Sequence, residues 1–178
     1  GRSSRLQVFG NEDSPPALQP GPDDPPLGPE FLIPRFAYDH VESYRLPVAE
    51  DQQPQRIWGL APRMNYVGKA VRVSLEKASG ETLCLGEIDR WSLDTMRVYR
   101  YDLPLEAMPL LEPGDVLVLE CTYDNTPSNQ PVVKGKRIEP REVFWGEKTT
   151  DEMCLNFVLL KQPYFPVPDR TGSCPGYE

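Results

Sequence analysis

The chain has 178 residues, 39% of them hydrophobic, and a formal net charge of −8, enough for one globular domain with a real core and too little for two large ones. Lys and Arg are dispersed rather than gathered in a stripe, which leaves nucleic-acid binding without support. No run reaches the roughly 18 apolar residues of a membrane span, and no basic-then-apolar leader opens the chain, so an exported protein is expected to have lost its signal already.

Residues 11–29, N-E-D-S-P-P-A-L-Q-P-G-P-D-D-P-P-L-G-P, are dominated by Pro, Gly and acidic side chains. That composition buries too little apolar area to offset its ordering entropy, so residues 1–30 are expected to form an extended Pro-rich arm. The arm is either a linker or a strap that orders against a partner subunit by polyproline-type contacts over 11–30. A single domain over 31–178 follows. It opens on E-F-L-I-P-R-F-A-Y-D-H-V-E-S-Y-R-L, where Phe31, Leu32, Ile33, Phe36, Tyr38 and Tyr44 begin to pack on a sheet.

Beyond Arg56 the period is two. Val71, Val73 and Leu75 alternate with Arg72, Ser74 and Glu76, and A-S-G-E supplies a turn before T-L-C-L-G-E-I, which makes a hairpin. Pro113-Gly114-Asp115 reads as a turn into a strand over 116–122, and 153–160 as another buried strand. A long polar loop over 124–152, with Pro127, Pro131, Pro140 and Gly146, joins them. No helical stripe with caps is found, so the expected fold is all-β, an antiparallel sandwich or jelly roll.

Four cysteines, Cys84, Cys121, Cys154 and Cys174, show no C-x-x-C spacing, and His40 is the only histidine. Two disulfides in an extracytoplasmic protein are the economical reading, with three connectivities open; free thiols in a cytosolic protein are the other.

Three stretches, G-L-A-P-R-M-N-Y-V-G-K through the hairpin, G-D-V-L-V-L-E-C-T-Y-D-N and W-G-E-K-T-T-D-E-M-C-L-N-F-V-L-L, together resemble the C-terminal domain of the copper type II, ascorbate-dependent monooxygenases. That family includes peptidylglycine α-hydroxylating and dopamine β-monooxygenase. The likeness covers about 56–160 and is most specific in C-T-Y-D-N at 121–125 and D-E-M-C at 151–154. It implies a jelly roll and a disulfide between Cys121 and Cys154, which leaves Cys84 and Cys174 to pair with each other. Closing a loop of that length contributes about 3 kcal/mol.

The family binds its catalytic copper through a His-x-His pair on one strand and the Met of D-E-M-C. Imidazoles suit both oxidation states, alternation puts i and i+2 on one face, and a thioether favours the reduced ion. Here Met153 is kept, but Arg63 and Asn65 stand on the two imidazole positions. Arginine has no lone pair to offer and repels a cation, and the amide of Asn is a hard donor. The family's other domain, with its three-histidine copper, has no counterpart in this chain.

These residues imply a non-catalytic, copper-free domain that serves as a structural or binding subunit of an extracytoplasmic assembly. Two alternatives stand beside it: a copper monooxygenase component completed by ligands from another chain, and a carrier that uses Arg63, Asn65 and Met153 for a small anion. Three smaller expectations follow: Arg63 forms a salt bridge, Met153 fills the core, and one of Asp151 and Glu152 anchors its loop. Trp58, Trp91 and Trp145 fill or seal the sandwich rather than line a groove.

Overall fold

The structure, a computed structural model, describes residues 4–10 and 17–161. Thirteen strands and three short 3₁₀ turns make up its regular elements, and no α-helix occurs among the described residues. In chain order the strands are β1 (Ser4–Phe9), β2 (Leu32–Ile33), β3 (Tyr38–Pro47), β4 (Gln55–Arg63), β5 (Gly68–Glu76), β6 (Thr82–Ile88) and β7 (Tyr99–Arg100). They continue with β8 (Leu110–Leu111), β9 (Val116–Asp124), β10 (Val132–Val133), β11 (Lys136–Arg137), β12 (Val143–Phe144) and β13 (Leu155–Lys161).

Two antiparallel sheets carry the fold. One runs β1-β13-β4-β7, with β8 also on β4; the other runs β3-β9-β5-β6. The chain passes from the second sheet to the first after β3, returns after β4, and crosses again after β6, β8 and β9. Only β5 and β6 form a hairpin of consecutive long strands, as the alternation of Val71, Val73 and Leu75 foretells.

The inward residues of both sheets merge in one buried cluster. Ile57 and Leu60 of β4 and Val158 and Leu160 of β13 meet Val71, Val73 and Leu75 of β5 and Leu117, Leu119 and Tyr123 of β9. Period-two alternation delivers these faces, and such burial supplies the main driving force for folding. The Cys121–Cys154 disulfide ties β9 to the residue just before β13, with Cα atoms 5.8 Å apart. The pairing implied by the resemblance is therefore present.

Several sequence boundaries need correction. Residues 4–9, assigned to the arm, pair along β13 from Ser4↔Lys161 to Phe9↔Asn156. Ala17 and Leu18 are buried, Leu18 bridges Tyr44, and Gln19 N donates to Ser43 O at 2.9 Å. What remains arm-like is an exposed loop from about 20 to 30, with Leu27 fully exposed; residues 11–16 lie outside the described set. The last strand begins at Leu155 rather than Met153, and the polar loop holds the ribbons β10–β11 and β12–β2. Phe36 and Tyr38, expected to pack, are exposed beneath the cations of Arg35 and Lys69.

Candidate functional site

The three positions singled out by the resemblance lie at one end of the β4–β13 ladder. Arg63 ends β4 in register with Leu155, Asn65 follows two residues later, and Met153 precedes β13 by two. Their side chains go different ways. Arg63 is exposed and makes no ion pair with any described residue, so the expected salt bridge is not formed. Met153 is 2% exposed and serves the core. Asn65 is buried, and its Nδ2 donates to Lys148 O at 3.1 Å and Asp151 O at 2.9 Å.

Between them stands Glu152, buried to 1% exposure. Its Oε2 accepts the backbone N–H of Asn65 at 2.7 Å and Oε1 that of Val67 at 2.8 Å; Met153 N donates to Oε2 at 3.3 Å. The segment linking β4 to β5 cannot pair in a ladder, so its buried N–H groups need an acceptor from elsewhere, and this carboxylate provides it. Burial pushes the Glu152 carboxyl up to about 7, against the pull of the same N–H groups toward the ionised form. Glu152 is thus the anchor of the D-E-M-C loop, while Asp151 reaches Arg141 at 3.5 Å.

The other motif residues close the same structure. Tyr123 OH donates to Met153 O at 2.9 Å, and burial raises its phenol well above the ordinary range. Asn125 is fully buried, with Nδ2 bonded to Pro34 O at 2.8 Å and Arg141 O at 2.7 Å and Oδ1 accepting from Gln130 Nε2. Trp91 is buried in the core and its Nε1 donates to Asn65 O at 3.1 Å. Trp58 and Trp145 are half-buried. C-T-Y-D-N and D-E-M-C are therefore stitched to each other and to the β4–β5 link.

This donor set does not fit copper. Arg63 has no lone pair, Asn65 offers only a hard amide oxygen while its Nδ2 holds loop carbonyls, and a lone thioether is a poor site. Among the described residues no group of three or more His, Cys, Asp or Glu could hold a metal ion. The cavity beside Glu152 has about 20 Å³, space for a single water. His40 lies elsewhere, on β3, with Nε2 3.1 Å from Glu42 Oε1 and Nδ1 3.7 Å from Asp23 Oδ2. Glu42 also accepts from Leu32 N, and burial raises its carboxyl. This pair fastens the N-terminal segment to β3.

Cys84 is exposed on β6 and joins no described cysteine; Cys174, its expected partner, lies outside the described residues. No helix among the described residues is long and apolar enough to cross a membrane.

A second feature had no motif to announce it. Along the edge of the sandwich where β6 and β7 are the outer strands, a cavity of ≈130 Å³ opens between the sheets. The hydrophobic pattern shows that the walls are apolar, but it cannot show that they fail to meet.

No family model matches the chain, and a search of curated proteins finds no match either.

Proposed function

We propose that this protein is a non-catalytic, copper-free relative of the copper type II monooxygenase C-terminal domain, a jelly roll that serves as a structural or binding subunit of an extracytoplasmic protein assembly. The observation that carries the proposal is the fate of Asn65. Where the resemblance expects an imidazole aimed at copper, an amide holds the carbonyls of Lys148 and Asp151. With Nδ2 so engaged the side chain stabilises a loop and has only a hard amide oxygen left, which beside a cationic Arg63 and a lone thioether makes no donor set for oxygen activation.

The crossing of the chain between a five-stranded and a four-stranded sheet supports the jelly roll, since that fold wraps paired strands across two sheets rather than stacking hairpins. The Cys121–Cys154 disulfide supports an oxidising compartment. With no catalytic centre, value lies in the surface, and the exposed Pro-rich loop over 20–30 is where a neighbouring subunit would be met.

The test is metal analysis of protein isolated from its native source with associated chains attached, together with ascorbate-dependent oxygen consumption. The expected result is less than a tenth of an equivalent of copper, no oxygen uptake and a co-purifying assembly. One equivalent of copper per chain overturns the proposal, and a His-rich companion chain would then identify a site completed in trans.

A further inference from the structure

The cavity at the β6–β7 margin has walls from both sheets. Leu60 and Pro62 come from β4, Val71 and Val73 from β5, and Leu85 and Ile88 from β6. Leu60, Val71, Val73 and Leu85 are all at most 5% exposed, so their side chains surround the space instead of lying over it.

A β-bulge builds this wall. Val73 pairs with Gly86 and Ser74 with Cys84, which leaves Leu85 as the extra residue. The bulge turns Leu85 inward and frees its carbonyl, which accepts the Tyr101 hydroxyl at 2.5 Å. Burial pushes the Tyr101 phenol up to about 12, with the nearby Cys84 adding to the effect. The two edges are thereby pinned together beside the cavity while the space stays open. Gly86 preserves it further: a Cβ there would stand 3.0 Å from Leu60 Cδ1.

Among the described residues only two charged ones border the cavity, Glu87 and Arg100. Both are exposed, and neither side chain forms a hydrogen bond or ion pair with a described residue. A dry apolar space of about 150 Å³ is known to accept a benzene-sized molecule, so the body of an occupant is set by volume. Its head is set by the rim: the guanidinium fork matches a carboxylate, and Glu87 disfavours a second acid group.

We propose that this cavity is a binding site for a small apolar monocarboxylate, with a single ring or a chain of about six carbons between the sheets and the acid group on Arg100. It shares no residue with the ring of groups around Glu152, so copper analysis and ligand titration answer separate questions.

The experiment is a methyl NMR titration of the full chain with phenylacetate and with its uncharged counterpart, 2-phenylethanol. Saturable shifts are expected on Leu60, Val71, Val73 and Leu85 for both probes. Arg100→Ala should weaken phenylacetate at least tenfold and change 2-phenylethanol less than twofold, and Val73→Phe should abolish both by filling the space. Absence of saturable shifts at these methyls, or unaltered binding by folded Val73→Phe, overturns the site; equal losses for acid and alcohol in Arg100→Ala overturn the assigned head group. If Val73→Phe does not fold, the wild-type shift map decides, and shifts confined to other methyls overturn the site.

Discussion

The two margins of the sandwich solve opposite problems with the same strands. At the Glu152 end, β4 and β5 emerge into irregular chain whose backbone groups are buried, and three buried polar side chains are recruited to them: Glu152 to three N–H groups, Asn65 to two carbonyls, Trp91 to one. At the β6–β7 margin the walls are mostly aliphatic, and the sheets part around ≈130 Å³ of open space. The family resemblance draws attention to the first margin, where the side chains at the implied ligand positions and their neighbours fasten loops. Room for a ligand is at the second, where no motif stands.

The comparison is broken most severely at Glu152. Glu152→Ala strands the N–H groups of Asn65, Val67 and Met153 in a buried site, and the expected loss is about 3–5 kcal/mol of unfolding free energy by urea titration. A loss below 1 kcal/mol would mean that water replaces the carboxylate and that the margin is open after all. Removing the disulfide with the Cys121→Ala, Cys154→Ala pair is next, at about 3 kcal/mol, since 33 residues separate the two cysteines. An effect within error would show that the loop is held by its hydrogen bonds alone.

The same carboxylate gives the margin a pH signature. With its folded pKa raised from 4.5 to about 7, the folded state holds a proton that the unfolded state has released between those values. The contribution to stability is therefore complete below pH 4.5 and is lost as pH rises through 7, a decline of about 3 kcal/mol. Denaturation midpoints of the wild type should fall across this window, and Glu152→Gln should flatten that part of the profile. Stability that instead rises from pH 5 to 8 in a Glu152-dependent way would reverse the assigned balance between burial and backbone hydrogen bonds.

How far these margins were legible depends on what each residue had to do. β5 follows from alternation, β6 from the turn before it and β9 from an apolar run after its turn, and the turns at Gly80 and Gly114, both at positive φ, delimit these strands. β3 escapes the same rule: its inward positions are His40, Glu42 and Tyr44, so a ten-residue strand hides behind a buried polar His–Glu pair. β7 is two residues long and is fixed by its neighbour β4 rather than by its own pattern. Asn65 was legible as a departure from His-x-His, yet its role was not, because Lys148 and Asp151 lie more than 80 residues away in sequence. The cavity was illegible for a different reason. Val71, Val73 and Leu85 read as ordinary core residues, and only the bulge at Leu85 and the missing Cβ of Gly86 show that the packing stops short.

Those glycines offer the finest comparison, one residue at each margin. A Cβ on Gly68 would stand 2.7 Å from Trp91 Cδ1 and 3.1 Å from Met64 Cβ. The Trp91 ring cannot step aside without giving up its bond to Asn65 O, and Met64 is fully buried, so Gly68→Ala should cost about 1–3 kcal/mol. A Cβ on Gly86 meets a single atom, the tip of Leu60, which borders empty volume and can rotate into it. Gly86→Ala should therefore cost less than about 1 kcal/mol, offset in part by the lower entropy of the unfolded chain. Both glycines avoid positive φ, so backbone strain does not separate them. Thermal or urea unfolding of the two variants measures the contrast between packed and open margins, and equal costs would show that the cavity walls are as rigid as the Glu152 end.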